Sequence, residues 1–567
     1  MVKRILALLN RQTGTVNEAA LLLGMFTLLS QVLALVRDRS LAHFLGPSAH
    51  LDVYYAAFRI PDLLYVSIGS LVSITVLIPF LIKRMENGGK PEENKAEAKL
   101  FMNQMFTVFV ATIAVLSAII ALLMPKIAHL IAPGFNQEQL TELISMSRIM
   151  LLSPLFIGIS NVLGCITQYY KNFFVYALSP VFYNLGIIIG VFFLYPIFGL
   201  FGLAYGVILG AFFHFAIQLP VMIKHGFVPR FTSKIKWATI REVTTISLPR
   251  TLALSLGSLT LVAITALASL IAEGSISIFT FAYNLETVPL NIIGVSYSIA
   301  AFPILAQAFA RGEKDRYIGH TITTARHIIF WSLPVMFLFI VIRAQIVRVI
   351  LGSGSFTWSD TRLTAAALAL FTISIVAQGL ILLLVRAYYA AGKTRRPLVV
   401  NLLSSAFTIL LCFVFLKIYQ TTPGIRYFFE SLLRVDETTT GSTILMLPLA
   451  YSVGSLINFF ALWILFRKDF LRGKGPQLQR VFFESLVAAF ALGVVAYGFL
   501  TFLGPIFGLS TFWGVFGQGL IAGIAGIYAA TIVLKQMGNP EIRQMLAAVR
   551  SKFKSKLSVS PGPEELS

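Results

Sequence analysis

The sequence predicts an all-α polytopic membrane protein with about fourteen spanning helices, arranged as two parallel six-helix lobes around a central cavity plus two extra C-terminal helices. Three observations predict it. Of the 567 residues, 57% are hydrophobic and only 12% charged, with a mean hydropathy of +0.82. That charged fraction is about half of the ~25% typical of soluble domains, so bilayer hydrocarbon must solvate the apolar excess. Apolar runs of the length a bilayer demands, about 20 residues, recur along the chain. An internal repeat divides most of them into two sets.

Residues 1–17 are expected to form an N-terminal amphipathic segment. Lys3 and Arg4 precede a short apolar run, Ile5 to Leu9, which Asn10 and Arg11 interrupt, and no small-residue cleavage site follows. The expected spans are 18–43, 52–82, 100–124, 141–169, 175–195, 199–223, 243–271, 276–309, 321–345, 361–391, 397–419, 443–466, 478–503 and 511–535. They group into an N-lobe over 18–223, a basic cytoplasmic linker over 224–242 and a C-lobe over 243–466 with an outer-loop insertion at 420–442. Two further helices over 467–535 and a basic tail over 536–567 complete the chain.

Charge placement sets the orientation, because cytoplasmic loops are enriched in Lys and Arg. With the N-terminus inside, most of the 45 basic residues fall on the cytoplasmic side, including Lys83-Arg84, Arg311 to Arg316 and Lys393 to Arg396. Both termini are then cytoplasmic. The net charge of +21 is read as a topology signal, and nucleic acid is not an expected partner.

The repeat is visible within this one sequence. Tyr169-Tyr170 precede Pro180 and Asn184, and Tyr388-Tyr389 precede Pro397 and Asn401 with the same Pro-x-x-x-Asn spacing. Leu203-Ala204-Tyr205 returns as Leu449-Ala450-Tyr451, and Ala57-Phe58-Arg59-Ile60 before Pro79 as Ala282-Tyr283-Asn284-Leu285 before Pro303. An even number of spans per copy makes the repeats parallel, the arrangement of transporters whose two halves alternate access.

Ionisable residues within spans are functional candidates because each is costly unless paired or hydrated. The first two helices hold Arg37, Asp38, Arg39, Asp52, Arg59 and Asp62, and later spans add Arg148, Arg250, Glu286, Arg326 and Arg386. A net-cationic cavity suits an anionic headgroup, since arginine presents a planar fork that pairs two phosphate oxygens. The competing readings are also concrete. Arg37 to Arg39 could snorkel to the interface, and Arg148 and Arg326 read more simply as packing or surface cations. Arg250 follows Pro249 in an otherwise uncharged helix and is expected to face the cleft. Enzymatic signatures are missing: no phosphate-binding loop, no His/Cys metal spacing and no GxSxG occur. No cofactor or metal is expected. The cysteines, Cys165 and Cys412, read as buried thiols.

The stretch from Ser30 to Arg37-Asp38, then Ala42-His43-Phe44-Leu45-Gly46, then Asp52 through Phe58-Arg59-Ile60-Pro61, resembles the opening of the MurJ (MviN) lipid II flippase family. Ala132-Pro133-Gly134-Phe135, Pro180 with Asn184, Gln218-Leu219-Pro220, Pro289 with Gly294, Pro303 and the run Arg386 to Pro397 follow in order. The resemblance covers roughly residues 20–535. It implies the MOP exporter superfamily and a lipid II substrate moved from the cytoplasmic to the periplasmic leaflet of the bacterial inner membrane. It also implies a lipid-tail groove at helices thirteen and fourteen, and membrane lipids and other cell-wall synthesis proteins as partners. The substrate-binding residues it suggests, together with the spans' own charges, are Ser30, Arg37, Asp38, Arg39, Asp52, Arg59, Arg250 and Asn284.

The chain also departs from that family. Gln31, Tyr65 and Asn284 stand where the family typically has cavity arginines, and Ser70-Leu71 replace an acidic-glycine pair. Two other readings stay open: export of another lipid-linked oligosaccharide, and a non-transporting scaffold for envelope synthesis. The scaffold reading draws on the basic tail, where Ile542, Met545-Leu546, Val549, Phe553 and Leu557 share a helical face.

Overall fold

The computed structural model describes residues 16–69, 72–88, 90–436, 439–471, 478–508, 511–543 and 545, excepting the side chains at 16–21, 74, 75, 249 and 250. The N-terminal amphipathic segment, Ser70-Leu71 and the tail beyond 545 therefore lie outside the described residues. Every described element is helical.

Eleven described helices are long and apolar enough to cross a membrane, and a twelfth arises if Trp358–Thr372 and Ile375–Ala390, bent by 44°, form one broken span. Among the described residues the exact count of fourteen is therefore not confirmed. The two stretches not counted are the first pair. On Val16–Phe44 the side chains are described only from residue 22 onward, and that part carries Arg37, Asp38 and Arg39 within one turn. In the next stretch Ala49–Leu64 runs on through a π-turn at Tyr65–Gly69 and carries Asp52, Arg59 and Asp62, and a shorter helix, Ile74–Met85, follows.

Proline explains much of this irregularity, because its ring displaces the preceding turn and leaves a carbonyl without its helical donor. Pro61 lies just before the Tyr65–Gly69 π-turn, and Pro289 just before a second π-turn at Asn291–Val295. These two turns follow Arg59 and Asn284, the matched positions of the internal repeat, at similar distances. Two further π-turns, at Gly190–Leu194 and Arg467–Leu471, follow no nearby proline.

Contacts divide the chain into two compact units. The first comprises residues up to 285 with 350–367 and 394–454; the second comprises 286–349, 368–393 and the chain from 455 onward. In the first unit, Phe173–Ile189 with its π-turn extension packs on Leu200–Ala216 through glycines. A Cβ at Gly206 would sit 2.5 Å from the Gly190 Cα, and one at Gly186 2.3 Å from the Gly210 Cα. Small residues let helix backbones approach this closely where no hydrophobic effect drives association in lipid. Gly206→Ala is expected to destabilise the unit by about 1–3 kcal/mol, the usual range for overpacking. Thiol-dye unfolding scans in detergent check it, because Cys165 and Cys412 are both fully buried in this unit.

In the second unit the Leu478–Leu503 helix packs against both Phe512–Gln536 and Lys314–Val341. The last described residues fold back onto it. Asn539 donates to Glu484 at 2.7 Å, and Arg326 pairs with Glu541 at 2.7 Å.

Candidate functional site

The candidate site of the first unit is built on the C-terminal half of Val16–Phe44. Asp38 is buried, and its neighbour Arg37 folds back to donate through Nε at 2.9 Å and Nη2 at 2.8 Å to the same Oδ1. The other guanidinium nitrogen, Nη1, reaches Asn184 Oδ1 at 3.3 Å. Asn184 turns its amide nitrogen to Ser30 Oγ at 3.1 Å and to the Pro180 carbonyl at 3.2 Å. The second Asp38 oxygen accepts from Asn284 Nδ2 at 3.0 Å. Ser30, Asn184, Arg37, Asp38 and Asn284 thus form one continuous chain of hydrogen bonds across three helices. Such a network is rigid when its members are satisfied, and it makes Arg37 and Asp38 together electrically neutral.

Arg59 is different. Its partners are hydroxyls, Thr265 Oγ1 at 2.7 Å and Thr280 Oγ1 at 3.4 Å, and among the described residues it makes no ion pair. Asp62, one turn further on, is exposed. Arg59 is therefore a half-buried cation with no ion pair among the described residues, and it feels the Asp62 carboxylate only through space.

The remaining candidates separate by position. Arg39 donates to the Ile350 carbonyl at 3.2 Å, tying the end of its helix to the 350–357 segment. Asp52 is buried and accepts from Gly274 N at 2.8 Å, Ser277 N at 2.8 Å and Ser277 Oγ at 2.6 Å. It caps the start of Ser275–Leu290, whose first amides have no helical acceptor of their own. Arg250 belongs to the Trp237–Ser269 helix, but its side chain lies outside the described residues. On the same helix Ser255 meets Ser67 of the Tyr65–Gly69 π-turn at 3.0 Å.

The positions that depart from the family's arginines are occupied by neutral groups. The Tyr65 hydroxyl accepts from Asn161 Nδ2 at 3.0 Å, Asn284 serves Asp38, and Gln31 is half-buried on the first helix. Asn161, Thr265 and Thr280 were not singled out from the sequence. Neutral polar residues on spans carry no charge signal, and only their long-range partners mark them. Asn184 did carry a signal, the repeated Pro-x-x-x-Asn spacing.

The second unit sets Glu286 and Arg386 against neutral hydrogen-bonding partners and contains a separate cavity. Glu286 is fully buried and accepts from Gln378 at 2.9 Å, while Arg386 donates to the Val295 carbonyl at 3.1 Å and to Ser298 Oγ. Arg148, in the first unit, donates to the Ala121 carbonyl at 2.9 Å. The cavity, about 1040 Å³, is walled by Leu333, Leu380, Leu384, Phe459, Phe460 and Trp463, with Arg326, Arg467 and Arg480 also lining it. The start of Leu478–Leu503 contributes to this groove; Phe512–Gln536 does not.

A family model described as lipid II flippase MurJ matches residues 41–425, more than half of the chain. The chain belongs to the MurJ family. Among curated relatives, the probable lipid II flippase MurJ of Buchnera aphidicola subsp. Schizaphis graminum is 27% identical over 486 residues, covering 84% of this chain and 88% of that protein. The lipid II flippase MurJ of Burkholderia cenocepacia is 25% identical over 491 residues, with 84% and 88% coverage. Among solved structures, a lipid II flippase MurJ in an inward closed conformation superposes with a TM-score of 0.69 at 21% identity, covering 91% of this chain and 99% of that one. An inward-facing multidrug resistance MATE family transporter of the MOP superfamily gives 0.62 at 15% identity, with 80% and 96% coverage. The chain shares the MurJ and MOP transporter fold, and it is a multi-pass membrane protein.

Proposed function

We propose that this MurJ family member flips lipid II, the undecaprenyl-diphosphate-linked peptidoglycan precursor, from the cytoplasmic to the periplasmic leaflet of the bacterial inner membrane. The observation that carries the substrate class is Arg59, a guanidinium whose hydrogen bonds among the described residues go to hydroxyls and which makes no ion pair there, so it can turn its fork to a diphosphate. The Ser30–Asn184–Arg37–Asp38–Asn284 chain serves as the rigid support beside it. Arg39, Asp52 and Arg250 complete the proposed set, with Asp52 holding the start of the helix that presents Thr280 and Asn284. Movement is by alternating access of the lobes 18–223 and 243–466, with both termini cytoplasmic as the distribution of basic residues supports. The protein transports and does not catalyse. The apolar cavity at Phe459, Phe460 and Trp463 is proposed to take the polyprenyl tail, and other cell-wall synthesis proteins are proposed partners.

A second reading, transport of a different lipid-linked oligosaccharide, is favoured by one feature. Asn284 and Tyr65 spend their hydrogen-bonding groups on Asp38 and Asn161, and bring no cationic charge. Native mass spectrometry of the purified protein with lipid II competing against a non-peptidoglycan undecaprenyl-diphosphate sugar separates the two. Preferential retention of lipid II supports the first reading; equal or reversed retention overturns it for the second. Arg250 is tested in the same experiment. Arg250→Ala is expected to weaken lipid II retention about tenfold, in line with loss of one charge-assisted hydrogen bond. Unchanged retention removes Arg250 from the site.

A further inference from the structure

The 420–442 insertion has no place in the transport site, yet it is firmly built. The span Arg395–Thr421 ends where Thr422 adopts an extended conformation, and Pro423 opens a new helix, Pro423–Leu433. Proline suits that first-turn position because its missing N–H would have had no helical acceptor. The helix ends at Arg434, which takes the left-handed conformation at φ 57°.

Its inner side is pinned by Glu430, which is 1% exposed. One carboxylate oxygen accepts from Ser442 Oγ at 2.7 Å, Arg426 Nε at 2.9 Å and the Tyr419 hydroxyl at 3.3 Å. The helix is thus tied both to the end of the span and to the turn that opens the next one. The outer side is apolar. Phe428 and Leu432, one helical turn apart, are 60% and 59% exposed, with Tyr427 beside them at 54%. Ser431 and Gly424 occupy the neighbouring exposed positions.

We propose that this helix lies in the headgroup–acyl boundary of the leaflet where the Arg395–Thr421 span ends, with the Phe428–Leu432 ridge immersed in lipid. Continuity with the span identifies the occupant. Only 22% of the span's most apolar window is buried by protein, so Leu410, Phe413 and Val414 face hydrocarbon, and the new helix begins two residues beyond the span's end. Leaving Phe428 and Leu432 in water instead would forgo about 1.5–3 kcal/mol for each side chain. Tyr427 supplies an aromatic group at headgroup level, and Arg426 and Arg434 flank the ridge with cations suited to lipid phosphate. The insertion is then a float that sets the depth of the span's end.

Nitroxide labels at Phe428→Cys, Leu432→Cys and Ser431→Cys test it in vesicles of phosphatidylethanolamine and phosphatidylglycerol. Both native cysteines are fully buried and escape labelling in the folded protein; a Cys165→Ala/Cys412→Ala background gives an independent check. The expected result is that oxygen relaxes the labels at 428 and 432 more than a water-soluble nickel chelate does, with the balance shifted towards nickel at 431. Strong nickel access at all three positions overturns the proposal in favour of a water-facing helix. Exclusion of both relaxants overturns it in favour of a protein partner or a second copy of this chain.

Discussion

Asp38→Ala is expected to be the most destabilising single change in the first unit, lowering stability by about 3–5 kcal/mol. The reason is what it leaves behind. Arg37 would keep its charge in a largely buried position, with Asn184 Oδ1 as its remaining side-chain acceptor among the described residues at 3.3 Å, and Asn284 would lose the carboxylate it donates to. An uncompensated charge in a desolvated site costs far more than the net value of the pair that hid it. The measurement is the unfolding midpoint in detergent, read by dye reaction with Cys165 and Cys412. An Arg37→Gln/Asp38→Asn double variant should lose less than Asp38→Ala alone, because neutral amides can rebuild the hydrogen bonds without a stranded charge. Equal losses would mean that the pair is not the source of the penalty. A full double-mutant cycle would then give the coupling, with about 1–3 kcal/mol expected for residues in one network.

Arg59→Ala is expected to have the largest effect on transport with little effect on the fold. Thr265 Oγ1 has its own acceptor in the Leu261 carbonyl at 2.8 Å, and Asp62, which feels the guanidinium through space, is exposed, so removing Arg59 breaks no ion pair and strands no buried donor there. The substrate, by contrast, would lose its charge-assisted hydrogen bonds. At about 1.5–3 kcal/mol for such contacts, lipid II binding should weaken roughly 10- to 150-fold. Arg59→Lys should restore part of this, since it keeps the charge but loses the planar fork. Native mass spectrometry of binding and a leaflet-translocation assay in proteoliposomes should report the same order: wild type, then Lys, then Ala. If Arg59→Ala binds and flips normally while its unfolding midpoint is unchanged, the guanidinium is a packing group and the proposed headgroup site is wrong.

These two residues sit close in the sequence and looked alike in it: each is a charge within an apolar run. The structure separates them by partner. Arg37 is neutralised by the residue next to it and held by Asn184, 147 residues away; the hydrogen bonds of Arg59 among the described residues go to threonines, 206 and 221 residues away. Asp52 was equally legible as a charge on a span, and its use as a helix cap was not, because the amides it satisfies belong to Gly274 and Ser277. The span count shows the opposite limit. Hydropathy runs smoothly through 52–82, whereas the described helix there, running from Ala49 through the Tyr65–Gly69 π-turn, carries Asp52, Arg59 and Asp62, a clustering of charge that average hydropathy does not register.

By itself the sequence determined that the chain is helical and membrane-embedded, that its halves repeat, and that its motifs resemble those of the MurJ family. These are local properties, since hydropathy, proline spacing and short motifs are each written within a few turns of helix. Which charges are spent on one another and which remain for a ligand was decided only by the tertiary structure. A hydrogen bond between Asp38 and Asn284 depends on the register of two helices 246 residues apart. That register is set by packing, where glycines such as Gly190 and Gly206 let backbones meet, and packing is a property of pairs that no single stretch of sequence contains.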